Sequence, residues 1–516
     1  MDPLTMSLTF LVGCLGIFYY FRYSFGHFKR LGLPSASAVP ILGSMWPFVF
    51  RLTPVVDLLV DAYNKYPEMK YIGFYDFSSP VFVIKDLEVI KSIAVKNFDS
   101  FPNHMPVVDP ELDEIFANNL FSLQDDKWRQ MRNLLTPAFT SSKMKYMFKL
   151  MSKCAAKFAD HIALEQKDKP GNKEVDMKTI LTKYTNDVIA TCAFGIDVDT
   201  MKDPKNDFYV LGRKATNFDA LMSAKFFLMR IAPWLCKLLD VKLMDERVKK
   251  FFTSVVGSTV ATRDEKGITR PDMIQLMMEA RDKNEDLDIR QMTSQAFIFF
   301  FGGFDTSSSV MCFAAHEIAV NPEVHERLQA EVDEVFKESH GDPTYEAINS
   351  MEYLSAVLNE TLRVYPVAPM VDRVCVKEFE LPPATPGMKP VTLYPGSRVW
   401  FPVYAIQRDP KYYPNPGKFD PERFLGEDKL NVNNSTVYLP FGLGPRMCIG
   451  NRFALLECKV LLFHLLARCN LKPSSKTCIP MEFSAKAFAM LPRTGFWLNL
   501  EPRRKTYLSP DSQSHS

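Results

Sequence analysis

Cys448 is the residue of this chain best set up to do chemistry. It stands in Phe441-Gly-Leu-Gly-Pro-Arg-Met-Cys-Ile-Gly450. The glycines let the backbone pass close to something flat and bulky, and Pro445 stiffens the turn. Residues 451–468 then carry apolar side chains at helical spacing, which sets Cys448 near a helix N-terminus, where the macrodipole favours a thiolate. There is no Cys-x-x-Cys and no paired histidine nearby, which argues against a tetrahedral zinc or iron–sulfur centre. A lone thiolate flanked by glycines suits an axial ligand to haem iron, with the opposite haem face left free. Arg446, two residues upstream, could meet a haem propionate as a forked donor. The bland alternative is a buried structural cysteine in a glycine-rich turn.

A second unusual stretch lies in the segment Gln291 to Val320, which reads as a long apolar helix ended by Asn321-Pro322. Its middle holds Gly302-Gly303-Phe-Asp305-Thr306-Ser307. Each helical glycine costs about 1 kcal/mol relative to alanine, so two in succession suggest that space is needed for a planar cofactor and a small ligand. Thr306 can bond back to a carbonyl one turn earlier and open the helix. Asp305 beside a hydroxyl could relay protons to a reacting oxygen in a dry site. Taken alone, a helix-packing glycine pair is the simpler reading.

Together these stretches resemble the cytochrome P-450 superfamily. Residues 441–450 match every fixed position of its Phe-x-x-Gly-x-Arg-x-Cys-x-Gly signature, and 302–307 fit the glycine–acid–threonine motif of its long distal helix. The resemblance implies haem b held by Cys448 as iron ligand, with Asp305 and Thr306 in the catalytic role. It implies haem propionate contacts from Trp128 and Arg132 (a Trp-x-x-x-Arg pair), Arg373 and, more weakly, His104, alongside Arg446. Glu360, Arg363 and Arg423 match a buried structural network of the family. O2 is then the co-substrate, and NADPH is used only through a flavoprotein reductase partner, with cytochrome b5 as a possible second donor. No dinucleotide fingerprint of this chain's own contradicts that. The reaction expected is insertion of one oxygen atom into lipophilic small molecules, foreign or endogenous. Two rival readings are a haem-thiolate isomerase or dehydratase and a non-catalytic haem-binding sensor; the intact Asp305-Thr306 pair argues against both. In overall look the chain is similar to the microsomal clan of insect family nine and vertebrate family three.

The elements that must position these residues are mostly helical. Helical periodicity runs from Val55 to Tyr66 and from Lys127 onward through most of the middle of the chain, and Glu360–Arg363 sits on a helix that ends before Pro366. Short β-like runs appear near Tyr71–Tyr75, Val81–Ile84, Thr392–Phe401 and Thr494–Leu500. The expected fold is mainly α (α+β), a large helical body with small peripheral sheets. By position within the family, the substrate pocket draws on the regions Phe101–Phe121, Asn217–Trp234, Phe297–Phe304, Val367–Val371 and Phe488–Met490. These are largely apolar, as a lipophilic substrate requires.

Of the 516 residues, 47% are hydrophobic and 24% charged, with a net charge of +2, which gives no reason to expect nucleic acid. The ten cysteines show no repeated spacing, as in a reducing, cytosol-facing compartment. Leu4 to Phe21 is a nearly unbroken apolar run, followed by Arg22, His27, Lys29 and Arg30. Those flanks predict a single-pass anchor in the endoplasmic reticulum membrane with the catalytic body in the cytosol. A cleaved signal peptide fits less well, because Ala36-Ser-Ala38 lies far beyond the apolar run. The expected layout is an anchor over 1–25, a basic, proline-bearing hinge over 26–43, one catalytic domain over 44–505 and a disordered tail over 506–516. The sequons at Asn359 and Asn434 are then expected to stay bare. Lys225–Trp234 could dip into the bilayer as a second contact. Lys127, Arg129, Lys143, Lys145 and Lys149 offer a basic face for an acidic reductase.

Overall fold

The computed structural model describes residues 5–9, 12–13, 16, 25–106, 108–168, 174–217, 220–283, 287–427, 435–487 and 489–503. The expected anchor over 1–25 lies mostly, and the tail over 506–516 wholly, outside these residues, as do Asn434 and Phe488. The longer helices are α1 (Val55–Lys65), α2 (Asp125–Leu135), α3 (Ser141–Asp168), α4 (Met177–Ile189), α5 (Asp207–Thr216) and α6 (Ala220–Ile231). They continue with α7 (Glu246–Lys266), α8 (Met273–Arg281), α9 (Ile289–Val320), α10 (Pro322–Glu338), α11 (Glu352–Val364) and α12 (Asn451–Arg468). The mainly helical architecture expected from sequence is the one observed.

The central helix is α9. It starts at a capping box in which Asp288 and Gln291 satisfy each other's backbone N–H groups, and it stops at Asn321 because Pro322 follows. Its first half packs into a phenylalanine-rich core with Phe116, Phe208 and Phe252, and its second half into a larger core with α3, α11 and α12. Among the described residues α9 alone is long and apolar enough to cross a membrane, and most of it is buried inside the protein. Its composition therefore reflects its place in the core.

Among the described residues nine strands form three small sheets. Strands β1 (Tyr71–Asp76), β2 (Ser79–Ile84), β7 (Arg398–Phe401) and β4 (Val371–Val374) make a sheet in that order, with only the β2–β7 pair parallel. The second sheet runs β3 (Glu174–Asp176), β9 (Trp497–Pro502), β8 (Cys469–Pro473), and the third pairs β5 (Phe379–Leu381) with β6 (Val391–Leu393). The expected run Thr392–Phe401 is thus divided between two sheets. Pro395-Gly396 turns the chain there, with Gly396 at φ +91°. The C-terminal strand begins later than expected because Gly495, at φ +84°, occupies a turn before it.

Part of the segment expected as a hinge is built into the body. Phe28 is fully buried and lies so close to Gly73 of β1 that a side chain there would collide with its ring, at 2.3 Å. Gly73 also exchanges backbone hydrogen bonds with Pro34 and Ala36.

Candidate active site

The cysteine loop is shaped by two left-handed glycines. Gly442 (φ +79°) and Gly444 (φ +74°) turn the chain, and a Cβ on Gly444 would fall onto the Ala94 carbonyl oxygen. The Cys448 N–H donates to Phe441 O at 2.9 Å, closing the loop directly before α12. The thiol is accessible, yet protein surrounds it so fully that burial pushes its pKa up. That combination belongs to a side chain lining an interior hollow. The Gly450 N–H and Arg132 work the other way and favour the thiolate. All other described cysteines are buried or half-buried.

On α9 the glycine pair divides its work. A Cβ at Gly302 would meet nothing within 4 Å, whereas one at Gly303 would strike Ile189 of α4 at 2.4 Å. Gly302 thus faces open space and Gly303 allows two helices to approach. Thr306 is exposed although the helix around it is buried, and its hydroxyl donates to Gly302 O. The back-bond expected from sequence is there, but α9 stays α-helical from Ile289 to Val320. Asp305 forms an ion pair with Lys178 of α4, Oδ1 to Nζ 2.8 Å. The same ammonium reaches Asp305 O (3.0 Å), Ser308 Oγ (2.9 Å) and Ser309 Oγ (2.7 Å). Helices α9 and α12 meet directly behind this region, where Cys458 Sγ lies 3.9 Å from Ser307 O.

The remaining candidates divide between free and committed cations. Trp128 of α2 is buried against Phe98 and under the Arg446 guanidinium, 4.1 Å from its ring centre. Arg132, one turn on, is half-buried with no hydrogen-bond or ion-pair partner for its guanidinium among the described residues. Arg373 is 1% exposed; it donates to Asp372 O and Leu443 O, while its Nε is buried without a partner. Burial lowers its pKa to about 10, against the opposing pull of Asp372. Arg446 is spent differently from the forked propionate donor expected. Its Nε goes to Pro102 O (2.6 Å) and its Nη2 to Leu123 O (2.8 Å) and Asn103 Oδ1 (3.3 Å). It therefore staples the cysteine loop to the 102–123 loop. His104 stacks on Phe121 at 4.6 Å and bonds through Nδ1 to Asp372 at 2.9 Å. Burial would push Asp372 up, but His104, the Met105 N–H and Arg373 outweigh it and hold its pKa at about 2.

The predicted support network is present. Arg363 and Glu360 are both fully buried and doubly bonded at 2.7 and 2.8 Å, with Arg423 Nε 3.5 Å from Glu360 Oε1. Sequence reasoning missed the residue that carries this network to the cysteine loop. Gln407 Nε2 donates to Leu362 O and Arg363 O, and its Oε1 accepts the Leu439 N–H at 2.7 Å, two residues before Phe441. Lys178 and Asp372 were missed as well. A lone glutamine, lysine or aspartate in an ordinary helix or strand carries no local sign that it serves a distant site.

These residues fit a haem. The accessible thiol in a closed loop, the open face of Gly302 and the unpartnered Nε of Arg373 are what a flat, doubly anionic metal macrocycle needs. Among the described residues no cluster of three or more His, Cys, Asp or Glu could hold a bare metal ion instead.

A family model described as cytochrome P-450 matches residues 34–499. Cytochrome P-450 9e2 of Blattella germanica is 44% identical, aligned over 96% of this chain and 98% of the relative. Probable cytochrome P-450 9f2 of Drosophila melanogaster is 41% identical over 92% and 95% of the two chains, and cytochrome P-450 9b2 of the same fly 38% identical over 93% and 95%. The likeness to insect family nine expected from sequence is the one found.

Proposed function

This chain belongs to the cytochrome P-450 family and is a haem-thiolate monooxygenase, and from that premise we propose that it is a reductase-fed, membrane-anchored oxidase of lipophilic small molecules. The observation that carries this reading is an accessible thiol at the start of α12 combined with an accessible hydroxyl in the middle of the buried α9. When bound, haem b supplies reductive activation of O2 and transfer of one oxygen atom to substrate.

The chain's own part is to bind, orient and move protons. Cys448 would ligate the iron, and Arg132 favours its thiolate across the loop. Trp128, Arg132, Arg373 and His104 would meet the cofactor's carboxylates, while Arg446 fixes the cysteine loop to the 102–123 loop. Thr306, whose hydroxyl donates to Gly302 O, and Asp305, held by Lys178, would hold and pass the protons that the reaction needs. Phe116, Phe297 and Phe301 meet edge to face at 5.1 and 5.8 Å and make an apolar wall suited to lipophilic substrates.

Two surfaces support the membrane and partner assignments. Phe50, Leu52, Leu221, Trp234 and Leu238 are all more than 60% exposed. The two segments that carry them adjoin, since Phe48 and Phe227 touch at 6.2 Å. Such an apolar surface suits a bilayer and sits with an N-terminal anchor over 1–25 and an endoplasmic-reticulum location. On the basic face, Arg129 is paired with Asp99 and Lys145 with Glu346, and Lys127 and Lys149 are exposed without an ion-pair partner among the described residues, which suits an NADPH-dependent flavoprotein reductase or cytochrome b5.

The test is a carbon monoxide difference spectrum of dithionite-reduced membranes, followed by NADPH-driven turnover with reductase added. A strongly red-shifted Soret band and oxygenated product are expected. A histidine-type band, or a thiolate band with no NADPH-dependent product from any lipophile, would overturn the reading. Lys127→Glu with Lys149→Glu should slow reduction by the partner and flatten its salt dependence.

A further inference from the structure

A second hollow, of about 1000 Å³, lies away from the cysteine site. Its floor includes Glu317 on the last turns of α9, eleven residues beyond Thr306 and so about 16 Å further along the helix axis. Tyr365, directly after α11, and Tyr404 complete the buried floor, while Arg51, Ile479 and Lys486 stand exposed at the rim. None of Cys448, Thr306, Arg373 or Trp128 lines it.

The lining carries a cationic surplus. Arg493 is neutralised by Glu482 at 3.2 Å. Arg51, Lys486 and Arg408 have no ion-pair partner among the described residues. Arg408 lies 4.4 Å over the Tyr404 ring and gives Nη2 to Val364 O, but its Nε is buried and unbonded. The two carboxyls left are poor counter-ions. Burial, and at Asp57 also the neighbouring Asp61, pushes both Asp57 and Glu317 towards the neutral form and outweighs the opposing pull of the Arg408 charge on each. Glu317 is besides already engaged by the Tyr365 hydroxyl and by Asn321 Nδ2 at 2.9 Å.

An orphaned buried donor on an aromatic floor, beneath a cationic and partly apolar rim, selects for ligands that are both anionic and greasy. We propose that this hollow is a second ligand site, separate from the haem pocket, that takes an amphiphilic organic anion: a carboxylate- or phosphate-headed lipid. The head group meets Arg408, Arg51 and Lys486. The chain lies against Ile479 and Phe483, and the exposed Leu52 beside the mouth gives an apolar path in.

The test uses the holoenzyme with its catalytic pocket filled by an azole that ligates the iron, occupancy being read from the Soret shift. Equilibrium dialysis then measures radiolabelled laurate, dodecyl phosphate and dodecanol, all below micellar concentrations. About one equivalent of laurate or dodecyl phosphate should still bind, and dodecanol at least about tenfold more weakly. Tighter laurate would point to free fatty acid as the source, and tighter dodecyl phosphate to a phospholipid head group. Arg51→Gln with Lys486→Gln should weaken anion binding about tenfold, and Ala485→Trp, which narrows the hollow beside Lys486, should weaken it as well, with the carbon monoxide spectrum unchanged in each. Both rim residues are exposed, so the double charge variant stands as the test even if Ala485→Trp does not fold. Displacement of all laurate by the azole, equal binding of dodecanol, or indifference to the double charge variant would overturn the proposal.

Discussion

The ammonium of Lys178 clamps Asp305: besides the 2.8 Å ion pair it reaches the Asp305 carbonyl and two serine hydroxyls on the next turn of α9. The acid next to Thr306 is therefore held from a neighbouring helix, α4, rather than by its own.

Loss of the acid should then cost more than loss of its clamp. Asp305→Asn is expected to lower turnover by about 10²–10⁴-fold, the range of a general acid or base. Lys178→Met should lower the product formed per NADPH by about tenfold and shift the pH–rate profile, with rescue by Lys178→Arg. A profile unchanged in Lys178→Met would restrict Lys178 to a packing role.

Breaking the buried pair beneath the cysteine loop should remove the holoenzyme. Glu360→Gln strands Arg363, which is 0% exposed, and the loss of one partner of a buried pair costs about 3–5 kcal/mol. The check is the carbon monoxide difference spectrum, expected to vanish or collapse to a non-thiolate band. Gln407→Leu should weaken the same signal with less effect on global unfolding, because it cuts neutral hydrogen bonds to Leu362, Arg363 and Leu439 and strands no charge.

The two glycines of α9 should respond oppositely. Gly303→Ala puts a methyl against Ile189 and is expected to cost about 1–3 kcal/mol of overpacking, less the roughly 1 kcal/mol gained in helix propensity. Ile189→Ala in the same chain should restore much of it, read as a coupling in denaturant unfolding. Gly302→Ala meets open space and should leave folding intact while altering ligand-induced Soret shifts.

Glu457 gives stability a pH dependence. It is fully buried with neither oxygen hydrogen-bonded, and burial pushes its pKa from an ordinary 4.5 to about 8, only partly offset by nearby Ser307. The folded protein keeps this proton where the unfolded chain has lost it. The stabilising contribution is therefore complete below about pH 4.5 and is lost as pH rises through about 8, at up to about 1.4 kcal/mol per pH unit. Glu457→Gln should flatten the fall in Tm between pH 6 and 8 and be the more stable protein at pH 8. An unchanged slope would mean that another group sets it.

What the sequence by itself determined was local and steric. Cys448 among glycines, Gly302-Gly303 before Asp305-Thr306, and Glu360 three residues before Arg363 are spacings whose meaning lies within one loop or one turn of helix. The helical periods likewise placed α1, α9 and α11 to within two residues, apart from the start of α11. Tertiary structure decided what those residues touch. Nothing along the chain couples Lys178 to Asp305, Gln407 to Leu439 or His104 to Asp372, because each pair joins elements dozens to hundreds of residues apart. It also committed Arg446 to loop carbonyls, since a desolvated guanidinium must satisfy its donors with whatever acceptors the packed loops present. The division of Thr392–Phe401 between two sheets was partly legible, since Pro395-Gly396 interrupts the strand pattern, but only the pairing partners show that its two halves join different sheets.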